Sequence, residues 1–352
     1  DASLAYTLLM IGFAGGSVVA GSLADRLGIM VTLVCGALSI SVGYFGAAYA
    51  PSLMVFAVSQ ILIGLGTATG FGPLIADVTH WFEKRRGIAV GLCSSGNYFA
   101  GAIWPPILQH FIASDGWRVT HLGIGIFCFA TLLPLALLLR RRRNAEHAAA
   151  INAQHAASGF GISPLTLQIL LSIAGVACCV AMSMPQVHIV AYCSDLGYGV
   201  ARGADMLAVM MAFGIVSRIG SGFIADKVGG LRTLLLGSFL QGVALLLYAF
   251  FDGLTSLYVI SALFGLFQGG IVPSYAIIVR EYFPPNEAGA RLGIILMMTL
   301  FGMAFGGWMS GYIFDLTGSY RLAFINGLAW NILNVGIVVW LLARPGQRVA
   351  PA

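Results

Sequence analysis

One arginine dominates the chemistry available to this sequence. Arg218 sits in Phe213-Gly-Ile-Val-Ser-Arg218-Ile-Gly-Ser-Gly222, inside an apolar stretch and about two helical turns before Asp226. A guanidinium stays charged at any physiological pH and presents a donor fork that matches a carboxylate. Within a membrane helix it costs about 2.5–3.5 kcal/mol on insertion scales, so it is kept where it faces a wet cavity and meets a partner. The pattern points to an anion-binding arginine, with Gly214, Ser217 and Gly220 leaving room for cargo. In the competing reading Arg218 snorkels to the interface or pairs structurally with Asp226.

Other groups in apolar surroundings could help. Asn97, Tyr98, Gln186, Gln268 and Tyr275 can each hydrogen-bond a carboxylate or hydroxyl, although each alone is more often an interhelical contact. His188 could titrate near neutral pH. Asp195 closes the long apolar run 164–193, where a carboxylate at a cavity mouth could exchange protons; an ordinary loop aspartate beside Arg202 and Asp205 is the plainer reading. Pro185 and Pro273 are expected to interrupt their helices.

The elements that position these groups follow from composition. Of 352 residues, 59% are hydrophobic and 9% charged, against about 45–50% and about 25% in soluble domains. Eighteen Lys and Arg with thirteen Asp and Glu cannot coat a soluble chain of this size, which excludes a soluble enzyme, a nucleic-acid binder and a disordered chain. The net charge of +5 reflects basic residues collected on one side of a membrane. The six cysteines lie mostly in apolar runs without metal-ligand spacing, so no disulfide framework, metal site or cofactor is expected. Nor is there a catalytic triad or a credible phosphate loop.

Eleven stretches satisfy the roughly 20 apolar residues that a bilayer requires: 2–24, 29–50, 52–76, 87–113, 119–139, 164–193, 203–225, 231–251, 254–279, 289–314 and 322–343. None alternates with period two, so helices are predicted rather than a barrel. One set of connections holds Arg26, Lys84 to Arg86, Arg140 to Arg143, Lys227, Arg232, Arg280, Arg291, Arg344 and Arg348, while the other holds only Arg118, Arg202 and Arg321. The positive-inside rule makes the first set cytoplasmic, with the C-terminus inside.

The chain repeats itself. Gly21-Ser-Leu-Ala-Asp25-Arg26-Leu-Gly28 returns as Gly222-Phe-Ile-Ala-Asp226-Lys227-Val-Gly229, an offset of 201 shared by Gly64 and Gly265 and by Trp81-Phe82 and Tyr282-Phe283. Gly116-Trp-Arg118 is echoed by Gly318-Ser-Tyr-Arg321. The expected organisation is a bundle over 1–139, a cytoplasmic linker over 140–163, a second bundle over 164–343 and a tail over 344–352. The halves match if one helix is missing before residue 1, so the chain is expected to hold helices two to twelve of a six-plus-six protein. His147 and His155 in the linker are read as solvated.

This arrangement resembles the major facilitator superfamily of secondary transporters. Within it, Trp81-Phe-Glu-Lys84-Arg85-Arg86-Gly87-Ile-Ala89-Val-Gly91 resembles the monocarboxylate transporter signature, and Gly307-Trp308 through Asp315-x-Thr317-Gly318-Ser319-Tyr320 resembles that family's last helix junction. Bacterial lactate and oxalate/formate carriers are relatives by this measure. The resemblance implies an all-α multi-pass protein of the plasma (bacterial inner) membrane. It implies carriage of lactate- or pyruvate-like monocarboxylates, usually with protons, by alternating access about a midplane site. It supports Arg218 as the binding residue. Because related carriers often place polar or bulkier side chains around Gly70 and Gly72, the glycines here suggest a roomier pocket for cargo larger than lactate. Many animal members place an Asp four residues before that Arg; Gly214 stands there, so a local Asp–Arg proton switch is absent.

The paired loops are expected to act as latches, because a carboxylate can cap the positive end of a neighbouring helix. The resemblance assigns this role to Gly21, Asp25, Arg26 and Gly28, and the repeat extends it to Asp226 and Lys227. Ile29, Met30 and Val31 replace the basic residues that usually follow the first copy. Lys84, Arg85 and Arg86 also fit positive-inside topology and contact with anionic lipid. The expected partners are a small organic carboxylate, protons and lipid, for a monomer. The alternatives are an exporter or exchanger of another organic anion or of a drug-like solute.

Overall fold

The computed structural model describes residues 2–82, 85–139 and 161–344. These are helical almost throughout, and no strand occurs among them. The first half contains α1 (Ala2–Leu27), α2 (Ile29–Ala48), α3 (Leu53–Thr69) and α4 (Gly72–Trp81). A helical run over Arg86–Leu138 follows, broken at Gly116 (φ 82°, ψ 161°), which separates α5 (86–115) from α6 (117–138). The second half contains α7 (Pro164–Asp195), α8 (Val200–Val228), α9 (Gly230–Phe250), α10 (Leu254–Gln268) and α11 (Ile271–Tyr282). A 3-10 turn at Pro285–Glu287 leads into α12 (Ala288–Thr317) and α13 (Tyr320–Ala343). Ten helical segments of the described residues are long and apolar enough to cross a membrane, and the 86–109 stretch of α5 is helical beyond those ten.

Local chemistry sets the boundaries. Ser52 and Ser163 cap α3 and α7, their hydroxyls accepting from Val55 N at 3.4 Å and Thr166 N at 3.1 Å. Gly28 (φ 86°) and Gly229 (φ 87°) make the turns after α1 and α8 in a conformation that a side chain would strain.

Two expectations about helix shape are corrected. Pro185 lies inside a continuous α7 and does not interrupt it. The other expected break falls at Gly269-Gly270, while Pro273 sits in the first turn of α11, where its missing N–H costs nothing. Gly70 lies exposed at the matching break between α3 and α4, with only Thr67 O within 4 Å of an added Cβ, whereas Gly72 is buried and receives the Leu296 side chain.

By contacts the chain divides into two compact units, residues 1–81, 100–156 and 283–297, and residues 82–99, 157–282 and 298–352. Each takes a helical segment from the other half of the sequence. In the first unit, Gly64 of α3 packs on α1 so closely that a Cβ would strike Leu9 O. In the second, Gly265 of α10 packs on Met210 of α8 in the same way. The offset is again 201. The linker expected at 140–163, with His147 and His155, falls mostly outside the described residues, as does most of the tail.

Candidate functional site

Arg218 lies in the interior of the second unit, 5% exposed. Its Nη1 donates to Ser94 O of α5, and its guanidinium carbon stands 4.0 Å from the centre of the Tyr98 ring. Its Nε has no acceptor. Among the described residues no carboxylate forms an ion pair with it. The alternative partner, Asp226, is engaged elsewhere: its two oxygens accept from the backbone N–H groups of Gly87 and Ile88. Arg218 therefore neither snorkels to open water nor pairs with Asp226. It is a buried cation on a carbonyl and an aromatic face, a combination that retains capacity for an anion.

The space expected around Arg218 is partly filled. A Cβ at Gly214 would lie 3.1 Å from Tyr98 Cε2, so the ring occupies the place that a side chain there would take. Ser217 is covered by the α10–α11 break, where a Cβ on Gly269 would lie 2.8 Å from Ser217 Cβ and 2.5 Å from Gly214 O. Of the three small neighbours, Gly220 alone faces open space.

That break adjoins a second donor. Gln268 is 1% exposed; its Oε1 accepts from Gln186 Nε2 at 2.9 Å, and its own Nε2 has no acceptor. Arg218 and Tyr98 are thus brought together, and Gly269, the residue after Gln268, packs on Gly214 and Ser217 of α8. Asn97 is exposed on α5. Tyr275 is fully buried, its hydroxyl 3.6 Å from Cys178 Sγ, a core contact.

The two titratable candidates occupy different surroundings. His188 Nε2 lies 2.9 Å from Gly307 O, tying α7 to α12, and its ring is 5.8 Å from that of Tyr320. Asp195 is the exposed last residue of α7. It lines a cavity of about 360 Å³ with Tyr192, Asp252, Tyr320 and Arg321. This cavity gathers the ends of four helices, α7, α9, α12 and α13. No sequence pattern indicates Ser94, whose contribution is a main-chain carbonyl.

The repeated loops make matching contacts, one within each unit. Asp25 Oδ1 and Oδ2 accept from Gly289 N at 3.0 Å and Ala290 N at 2.7 Å, at the start of α12. Asp226 does the same for Gly87 and Ile88 at the start of α5. Exposed N–H groups at a helix start attract a carboxylate through both hydrogen bonding and the helix dipole. Backbones approach closely beside each cap, Gly21 against Gly289 and Gly222 against Gly87. Arg26 and Lys227 are exposed at these turns. In the basic signature, Lys84 lies outside the described residues, Arg85 is exposed and Arg86 opens α5. Gly91 packs on Arg218 O with no room for a side chain.

The opposite helix ends repeat as well. Arg118 donates to Ala50 O at 3.5 Å and Arg321 to Ala249 O at 2.6 Å, each satisfying a carbonyl near a helix C-terminus.

Comparison with known proteins agrees with this geometry. The family model described as Major Facilitator Superfamily matches residues 1–256 and again 171–352. The chain is 27% identical to "Monocarboxylate transporter 13" of Rattus norvegicus over 342 residues, covering 93% of this chain and 76% of that protein. It is 26% identical to the "Agnestins efflux protein AgnL12" of Paecilomyces divaricatus over 333 residues, 94% and 75% of the two chains. Its fold resembles that of the transporter FucP solved in the outward conformation, with a TM-score of 0.76 at 14% identity over 97% of this chain and 89% of that one. The helices, the duplicated caps and these matches lead to one conclusion: the chain belongs to the Major Facilitator Superfamily and is a multi-pass membrane transporter, not an enzyme.

Proposed function

We propose that this transporter carries small organic monocarboxylates of the lactate and pyruvate class, together with protons, using Arg218 as the anchor for the carboxylate. The observation that carries this reading is the state of Arg218: 5% exposed, with Nε unpaired and no carboxylate partner among the described residues. A buried cation held by a carbonyl and an aromatic residue gains most from an anion, because the attraction is screened least where water is scarce. Gln268, with its unpaired Nε2, supplies a neutral donor for a carbonyl or hydroxyl, and Asn97, one residue before Tyr98 and exposed on α5, is a further candidate donor. Relatives named monocarboxylate transporters support the substrate class.

Alternating access between bundles 1–139 and 164–343 would expose this site to each side in turn. The caps at Asp25 and Asp226, with Arg26 and Lys227 beside them, act as latches that cargo must release. The basic residues beside these latches support a cytoplasmic side for them, in a plasma or bacterial inner membrane. His188 is the proposed proton site, since its ring bridges α7 and α12, with Asp195 at the mouth. Export or exchange of another organic anion or of a drug-like solute is the second reading, its outward direction favoured by the relative named an efflux protein.

Uptake by proteoliposomes tests the assignment. Pyruvate and lactate enter with wild-type protein, lactamide does not, and Arg218→Gln stops carboxylate uptake while the protein remains monodisperse. Wild-type uptake by Arg218→Gln would overturn the carboxylate assignment. Exchange of a preloaded larger anion in preference to pyruvate would favour the second reading.

A further inference from the structure

Two helix seams in this molecule are built alike, and one carries parts that the other does not need. In the first unit, α1 meets the start of α12 through Gly21 against Gly289 and Gly293 against Ser17 O, under the Asp25 cap. In the second, α8 meets α5 through Gly222 against Gly87 and Gly91 against Arg218 O, under the Asp226 cap. At the offset of 201, Ser17 stands where Arg218 stands in the repeat, and Phe13 stands where Gly214 does. Ser17 Oγ donates to Phe13 O within its own helix at 2.8 Å. Small residues and a carboxylate cap therefore suffice to close such a seam. The grouping of Arg218, Tyr98 and Gly214 is additional, and its purpose lies elsewhere.

The geometry points to Tyr98 as the resting partner of Arg218 and a specificity-determining residue of the cargo site: a carboxylate binds by taking the guanidinium from the ring. This rests on the reading of Arg218 as the anion anchor. The face of an aromatic ring carries negative charge density and attracts a guanidinium, more strongly where water is excluded, but far less than a carboxylate does. At 4.0 Å the Tyr98 ring satisfies Arg218 enough to keep a buried cation in place between cargoes, and weakly enough to yield to one. Gly214 is part of this device, because any side chain there meets the ring at 3.1 Å. Neutral solutes cannot displace the ring, so it also selects for charge. Because Ser94 and Tyr98 both lie on α5, the helix capped by Asp226, cargo competes with α5 itself for the guanidinium.

A competitor that occupies the binding group lowers apparent affinity by the fraction of time it holds it. Removing the ring should thus tighten binding, whereas simple loss of packing would weaken it. Pyruvate binding to the purified full chain is measured by calorimetry for wild type, Tyr98→Leu, Tyr98→Phe, Gly214→Ala and Arg218→Gln. Tyr98→Leu is expected to bind pyruvate about threefold to thirtyfold more tightly, the range of a cation–π contact from partly wet to dry. Tyr98→Phe keeps the ring and stays within about twofold of wild type. Gly214→Ala pushes the ring aside and tightens binding by a smaller factor, giving the same reading if Tyr98→Leu does not fold. Unchanged or weaker binding by Tyr98→Leu, or by Gly214→Ala in its place, overturns the proposal while loss of binding in Arg218→Gln leaves the anchor standing. Undiminished binding by Arg218→Gln instead overturns the anchor, and the role of Tyr98 with it.

Discussion

Gly87 and Gly222 meet backbone to backbone. A Cβ added to Gly222 would lie 2.5 Å from Gly87 O, and one added to Gly87 would be nearer still to Gly222 O. The contact sits directly beside the Asp226 cap, so the hydrogen bonds and the close approach depend on each other. Neither residue can acquire a side chain without lifting α5 from the carboxylate that caps it.

Gly87→Ala should accordingly lower stability by about 1–3 kcal/mol, the usual cost of forcing a methyl into a packed contact. Gly15, where an added Cβ would meet nothing within 4 Å, serves as the control: Gly15→Ala should remain within about 0.5 kcal/mol of wild type. Thermal unfolding of the two purified variants decides the matter, and equal shifts would contradict the close contact.

Asp25→Ala and Asp226→Ala each remove a cap from two backbone N–H groups. Each should cost about 0.5–2 kcal/mol. The two caps share no partner, so the double variant should equal the sum within about 0.5 kcal/mol. A double variant no worse than either single one would show that the caps act as one unit.

A buried polar contact between α9 and α13 offers a test remote from Arg218. Asn334 Nδ2 donates to Ser238 Oγ at 2.7 Å, and Asn331 Nδ2 donates to Ser238 O at 2.8 Å. A double-mutant cycle of Ser238→Ala and Asn334→Ala should return a coupling energy of about 0.6–1.7 kcal/mol, as for polar contacts between membrane helices. Zero coupling would mean that the bond adds nothing to the bundle.

For coupling, wild-type uptake of lactate should rise with an inwardly directed proton gradient. His188→Gln retains an amide able to donate to Gly307 O and removes the titratable ring. This variant should still bind lactate while losing the stimulation. Full stimulation in His188→Gln would remove His188 as the proton site, and a wild type indifferent to the gradient would point to exchange.

The sequence by itself determined the helices and the duplication. Membrane spans are legible because each must satisfy its backbone internally and present apolar side chains for about 20 residues, a local property. The Asp25 and Asp226 loops were equally legible, since two copies at a constant offset expose what both need: a glycine, a carboxylate and a tight turn. Arg218 stood out because a charge in an apolar run needs a reason. Tertiary structure alone decided what surrounds it. Ser94 acts through a carbonyl that every residue possesses, so no side-chain pattern could reveal it. Gly214 reads as empty space until the Tyr98 ring arrives from a helix more than a hundred residues away in sequence. The break at Gly269-Gly270 was likewise hidden, because proline is tolerated in a first helical turn and the pressure of α8 on that segment is visible only once the helices pack.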